Sequence, residues 1–359
     1  MEASQHDIYF KTRQEVASWA PTGDAPGVDG TQRAPKESSP RTPNVAFILG
    51  MGRSGTNFLL DLIDSSPLTH CRNEPDELSG GALESWSDWK VHRSLFAAGY
   101  LSRDLREVVI CGGERDRAIP PFKSWLRNAA STPARALSKT TLRKLVPGLG
   151  SSEYHLPAAL VRSEELFGAL HVLKINAAPS IAEVFMGATA GSDTPLARVI
   201  HIVRNPAGFL RSWRRRWLAE HDEEQVLVAN LERLEEVRHL DPEGGAFFSA
   251  VPDPNTHEAE LLFWRYCTQR IRAAGAGRAA YLEVAYDELA RTPLASLQEV
   301  FAFLDLPWTE DVSARVGEMT ERSVDIATAF QAELDDEAIS TFERTLGPEL
   351  CEEFSLTRA

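Results

Sequence analysis

Two patterns of apolar positions alternate along the chain. Short runs of large apolar residues, many of them β-branched or aromatic, occur at Val45–Leu49, Val172–Ile175, Arg198–Val203 and Ala280–Val284. Runs of this length and composition suit strands buried on both faces. Between and after them the spacing turns helical. From Thr56 onward, Phe58, Leu59, Leu62 and Ile63 share one face, and a second helix is expected within Ala177–Gly187, followed by a Gly/Ser/Thr loop. Helical patterns also fill Asp222–Leu240, His257–Ala274, Leu294–Leu304 and Asp335–Leu346, and Pro206 is suited to the first turn of a further helix. Short strands alternating with helices predict an α/β fold: a P-loop-like three-layer sandwich whose central parallel sheet is covered by helices on both faces.

Two stretches break this rhythm. Residues 1–19 carry only Ile8, Phe10 and Val16 as weak anchors of a short helix, and Pro21–Pro43 is rich in Pro, Gly, Ser and Thr. Residues 1–43 therefore read as a flexible N-terminal extension and 44–359 as the globular domain. Leu78–Ser152 is an irregular insert with Trp86, Trp89, Trp125, a Pro120-Pro121 turn and the basic residues Arg127, Arg135, Lys139, Arg143 and Lys144. Inserts of this length in α/β folds carry acceptor-side loops and lids, or else form a helical subdomain whose tryptophans are core.

Charge and composition narrow the partners. A formal net charge of −14 disfavours nucleic acid or a heparin-like polyanion as a general partner. Cys71, Cys111, Cys267 and Cys351 are scattered with no C-x-x-C pair, which points to reduced structural thiols rather than a metal site. The N-terminus M-E-A-S-Q-H-D shows no signal-peptide pattern, and no run approaches the roughly 20 apolar residues that a membrane helix needs. A soluble, cytoplasmic protein without membrane contact is expected.

The candidate chemistry begins where the first strand ends. Gly50, Gly52 and Gly55 allow a tight turn between strand and helix, and the helix N-terminus offers unpaired N–H groups to an anion. Arg53, Ser54 and Thr56 add side-chain donors, so Gly50–Thr56 reads as a phosphate cradle. The nucleotide-kinase P-loop G-x-x-x-x-G-K-[ST] fits the glycine spacing, but Thr56 and Asn57 stand where its Lys and Ser/Thr belong. A second basic site follows the strand ending at Val203, in R-N-P-A-G-F-L-R-S-W-R-R-R-W. Six arginines and no acid lie between Asp193 and Glu220. Arginine suits phosphate because its planar fork makes paired charge-assisted bonds. Arg204, Ser212 and Arg216 are the candidate ligands, with helical spacing able to align Ser212 and Arg216, while Arg211, Arg214 and Arg215 read as a solvated helix face.

These motifs resemble those of the sulfotransferases that use PAPS (3′-phosphoadenosine 5′-phosphosulfate). G-x-x-R-S-G-T resembles that family's 5′-phosphosulfate loop, and R-N-P with Ser212 eight residues after Arg204 resembles its 3′-phosphate motif. Val284–Trp308 resembles the family's Y-E-D-L…P…FLGLPW region. The likeness covers most of Asn44 to Phe330 and is strongest to the protein-tyrosine and bacterial branches. It implies a metal-independent sulfotransferase moving the sulfuryl group of PAPS to an acceptor hydroxyl, giving a sulfate ester and 3′,5′-ADP.

Carried over residue by residue, the resemblance implies that Gly52, Arg53, Ser54, Gly55, Thr56 and Asn57 hold the 5′ end of the cofactor. Arg204, Ser212 and Arg216 would hold its 3′-phosphate, with further contacts from Tyr286 and Ser323. Glu74 would be the base, at the spacing after Arg53 found in the protein-tyrosine branch. Read without the family, Glu74 is a surface carboxylate beside Asp76 and Glu77, and His70 is the rival base. Lys174 would stabilise the transferring group, at the carboxyl end of a strand where ligands of parallel sheets sit. The acceptor class stays open among carbohydrate, natural product, lipid and peptide tyrosine, with a small molecule or carbohydrate preferred. Two other readings stand beside this one: a P-loop kinase-like phosphotransferase, and a catalytically inactive nucleotide-binding module.

Overall fold

The computed structural model describes residues 45–66, 68–73, 170–186, 197–321 and 323–357, all within the larger of two units into which the chain divides, Thr42–Ala359. The N-terminal extension, the insert, Glu74 and the loop after the second helix lie outside the described residues. Five strands form one sheet: β1 (Val45–Gly50), β2 (Thr69–Asn73), β3 (Leu170–Asn176), β4 (Arg198–Val203) and β5 (Tyr281–Ala285). Their order is β2-β3-β1-β4-β5 and every pairing is parallel. The predicted parallel α/β sandwich is the fold.

The apolar runs explain the centre of that order. All six residues of β1 are buried because helices cover both of its faces. On one side, Ala46, Ile48, Val172, Ile200 and Ile202 pack beneath α1 (Thr56–Ile63), whose Leu59, Leu60, Leu62 and Ile63 are fully buried. On the other, Phe47, Leu49, Leu173, Ile175 and Val199 meet Ala178, Ile181 and Ala182 around α2 (Pro179–Met186), together with Ile271. Ile271 belongs to α5 (Thr256–Gly275); α3 (Pro206–Trp217) and α4 (Glu223–Leu240) precede it. A third cluster joins Trp213 of α3, Leu234 of α4 and Trp264 of α5 to Phe342, Leu350 and Cys351 near the C-terminus.

Two edges depart from the sequence expectation. β2 reads T-H-C-R-N, with Cys71 as its one large apolar residue, so no hydrophobic run announces it. It forms because β3 offers a free edge and because Thr69 and Cys71 can be buried. β5 is placed one residue later than its apolar run and is not buried on both faces; Glu283 and Ala285 are exposed, as suits an edge strand. After β5 come α6 (Tyr286–Arg291), α7 (Pro293–Phe303), α8 (Glu310–Thr320), α9 (Ser323–Thr328), α10 (Asp336–Leu346) and α11 (Pro348–Glu353). No helix among the described residues is long and apolar enough to cross a membrane.

Candidate active site

A parallel sheet places the carboxyl ends of its strands along one edge, and the chain's crossover from β3 to β4 passes over β1. Ligands of such sheets bind at that edge, near the strand where the order reverses. The sequence candidates cluster there. The glycine loop leaves Gly50 at the end of β1, Lys174 lies near the end of β3, Arg204 directly follows β4 and Tyr286 directly follows β5. Glu74 is outside the described residues; its predecessor Asn73 ends β2 and is the register partner of Lys174.

The loop is held in a conformation that an ordinary turn does not need. Arg53 adopts φ 74° and Gly55 φ 93°, and the Ser54 N–H closes the turn on the Met51 carbonyl at 3.0 Å. A left-handed arginine costs roughly 1–2 kcal/mol, so the surroundings must hold it. They do so through the second motif. Arg204 Nη1 donates to the Arg53 carbonyl at 3.0 Å, and Arg53 Nε donates to Ser212 Oγ at 3.2 Å. Arg53 thus joins the two basic motifs across 159 residues of sequence.

Tyr286 and Gly55 fit each other. A Cβ on Gly55 would stand 2.2 Å from the Tyr286 ring, so glycine is the residue that lets this ring lie against the loop. The same ring receives the Arg204 guanidinium at 4.5 Å from its centroid, a cation–π contact. Arg204 Nη2 also donates to the Ile326 carbonyl of α9 at 3.3 Å. Burial lowers the Arg204 pKa from its usual range and raises those of the Tyr286 phenol and the Asp287 carboxyl.

Local sequence explains how Arg204 is aimed. Asn205 caps α3, its Oδ1 accepting from the Ala207 N–H at 3.0 Å, and Pro206 supplies the first helical residue. The Asn205 N–H donates to Asp287 Oδ2 at 2.9 Å, and its Nδ2 donates to the Phe354 carbonyl at 3.1 Å. Asp287 is a positioning residue that sequence reasoning missed. Its neighbour Tyr286 belongs to a readable motif, yet an acid in a surface-like Y-D-E run gives no sign of which amide it will receive.

The remaining candidates differ in their surroundings. Thr56 Oγ1 donates to Asn176 Oδ1 at 3.1 Å, and Asn57 is exposed in the first turn of α1. Lys174 is buried on the face of β3 that also carries Val172, beneath α1. Arg216 is exposed and pairs with Glu220 at 2.5 Å. Ser323 is buried at the start of α9, where its hydroxyl lies 2.8 Å from the Ala290 carbonyl and 2.7 Å from that of Thr320. The group brought together is therefore Arg53, Gly55, Arg204, Ser212 and Tyr286, with Thr56 tied to Asn176.

Three buried polar atoms at this edge have no hydrogen-bond partner among the described residues: the donors Ser54 Oγ and Arg204 Nε, and the acceptor Asp287 Oδ1. Buried donors are rarely left so, because desolvation without a partner costs roughly 1–3 kcal/mol. Two orphaned donors and a glycine loop opening a helix fit a bound anion.

Residues 44–310 match the sulfotransferase family. Among solved structures, the chain resembles the sulfotransferase domain from the Synechococcus PCC 7002 olefin synthase, at 15% identity over 89% of this chain and 98% of that one, with a TM-score of 0.42. It also resembles the sulfotransferase domain from the curacin biosynthetic pathway, at 13% identity over 85% and 98%, TM-score 0.42. Sulfotransferase STF9 from Mycobacterium avium matches at 15% identity over 82% and 76%, TM-score 0.33. No curated protein sequence matches the chain. The match spans the strand–loop–helix cradle, the R-N-P motif and the Tyr286 region alike, and the chain belongs to the sulfotransferase family.

Proposed function

We propose that this sulfotransferase takes its sulfuryl group from PAPS and delivers it in line to a hydroxyl of a small-molecule acceptor, a carbohydrate or natural product, releasing 3′,5′-ADP. The observation that carries this reading is the join at Arg53: one residue ties a loop suited to a 5′ phosphosulfate to a second basic motif suited to a 3′-phosphate. A donor with anionic groups on two positions of one ribose matches two linked anion sites; a nucleoside triphosphate, charged at one position, does not. When bound, PAPS supplies the activated sulfur: the acceptor oxygen forms a bond to it while the sulfur–phosphate oxygen bond breaks.

The chain's own residues then take distinct roles. Backbone N–H groups of Gly52, Arg53, Gly55, Thr56 and Asn57, with Ser54 Oγ, hold the 5′ end. Arg204 and Ser212 hold the 3′-phosphate. Arg216 joins them by exchanging Glu220 for phosphate, a small exchange, since exposed ion pairs contribute roughly 0–1 kcal/mol. Tyr286 supports the cofactor beside Arg204, and Ser323 contributes from the start of α9. Lys174 places positive charge on the oxygens that become more negative during transfer. Glu74, the residue after Asn73, accepts the acceptor's proton, as the family resemblance implies.

Calorimetry tests the cofactor. Micromolar, metal-independent binding of 3′,5′-ADP is expected, weakened roughly 10- to 100-fold in Arg204→Ala and less in Ser212→Ala, as suits hydrogen bonds to a charged group. Preference for ATP with magnesium would replace this reading with a phosphotransferase. Lys174→Ala is expected to abolish turnover while retaining 3′,5′-ADP binding.

A further inference from the structure

Asn176 is the last residue of β3 and pairs in register with Gly50, the residue at which the loop begins. The next backbone amide, Ala177 N–H, donates to the Gly50 carbonyl at 2.8 Å, and Ala177 turns away with φ 50°. The Asn176 side chain is thereby fixed over the loop rather than along the strand. Its Oδ1 accepts the Thr56 hydroxyl at 3.1 Å, and its Nδ2 lies 3.7 Å from the point where a Cβ on Gly52 would stand. One amide therefore spans the cradle from Gly52, where the loop opens, to Thr56, where α1 begins.

This contact changes what Thr56 can offer. A threonine hydroxyl carries a single proton, and here that proton goes to Asn176. Thr56, buried, then contributes to an anion through its backbone N–H, while its side chain serves to hold the first turn of α1 in place. Two residues earlier on the same strand face stands Lys174. A neutral amide at this position keeps the cradle free of negative charge, whereas a carboxylate would place a charge against the bound anion at close range.

We propose that Asn176 is a positioning residue for the 5′ anion: it takes the Thr56 hydroxyl, sets the span between Gly52 and Thr56, and keeps that side of the loop uncharged. This assignment rests on the cofactor reading above. The two are separated by comparing 3′,5′-ADP, which has a 5′-phosphate, with 3′-AMP, which lacks it and reaches only the Arg204–Ser212 side.

The measurement is the ratio of the two affinities, by calorimetry, in the full chain. Wild type fixes the reference. Asn176→Asp is expected to weaken 3′,5′-ADP by roughly tenfold or more through like-charge repulsion, with 3′-AMP unchanged. Asn176→Ala is expected to lower the same ratio by a smaller factor, about threefold. Asn176→Ser, which keeps an uncharged acceptor, is expected to hold the ratio nearer to wild type than Asn176→Ala does. A ratio unchanged in both Asn176→Asp and Asn176→Ala, or both ligands weakened equally, overturns the assignment. Arg204→Ala, by contrast, should weaken both ligands. If wild type binds neither, the cofactor reading fails and this assignment with it.

Discussion

The left-handed pair Arg53 and Gly55 shows how individual residues divide the work of the loop. Arg53 has a side chain and accepts the strain because two neighbours use it: Arg204 donates to its carbonyl, and Ser212 accepts from its Nε. Gly55 has none, because the Tyr286 ring occupies the place. Gly55→Ala is therefore expected to cost about 2 to 4 kcal/mol, combining an unfavourable φ with a displaced ring. The displaced ring would also disturb its contact with Arg204, so 3′,5′-ADP affinity should fall together with the midpoint in urea. A Gly55→Ala variant of unchanged stability would show that the ring yields easily. Gly52, whose Cβ position is clear of close contacts, should tolerate alanine far better in the same unfolding experiment.

At the level of elements, α3 depends on one residue for both its start and its attachment. Asn205 caps the helix, receives its own orientation from Asp287 and reaches Phe354. Asn205→Ala is expected to cost about 1 to 3 kcal/mol, a cap plus a buried hydrogen bond, read as a lower urea midpoint. Asn205→Ser, which retains a capping oxygen but not the amide, should fall in between. The sequence announces α3 clearly, because Pro206 and the buried Phe209, Leu210 and Trp213 mark it. It also announces β1, β3, β4 and α1, whose apolar runs follow from burial on two faces. It is silent on β2, where pairing with β3 does what hydrophobicity does elsewhere. The six-residue helices α6, α9 and α11 are too short to print a period, and α8 buries only Val312, Val316 and Thr320, of which two are apolar.

The candidate site is legible to a similar degree and for a related reason. Motifs carried by contiguous residues, such as Gly52–Thr56 and Arg204–Ser212, can be read off the chain. Contacts made by one polar residue across a long separation cannot: Asn176 with Thr56 and Asp287 with Asn205 have no local signature. Nor does spacing alone say that Arg216 turns to Glu220 or that the Ser323 hydroxyl settles against two carbonyls.

Across the whole molecule, burial and charge meet in a network between the sheet and the C-terminal helices. His201 of β4 is buried, with Nδ1 2.9 Å from the Tyr281 hydroxyl and 3.5 Å from Glu283 Oε2. Arg272 of α5 pairs with both Glu283 and Glu353. Burial lowers the His201 pKa, against the pull of Glu283. Burial would raise that of Glu283, but bonds to His201 and Arg272 hold it well below the carboxylate range. Because folded His201 resists protonation, the unfolded chain gains the proton first as pH falls below about 6.5. Stability is thus expected to decline from neutral pH toward the lower folded-state pKa. His201→Gln should flatten that decline when urea midpoints are compared at pH 7.5 and about pH 5.5. An identical slope in the variant would assign the decline to other groups.

The bond from Asn205 to the Phe354 carbonyl spans 149 residues of sequence. During synthesis the partner of that amide does not yet exist when α3 emerges. At roughly 5–20 residues per second, the wait lasts about 7 to 30 s. Throughout that interval the glycine loop and the R-N-P turn have been made, while the acceptor that secures the turn has not. The R-N-P turn is thus made well before the acceptor that secures it.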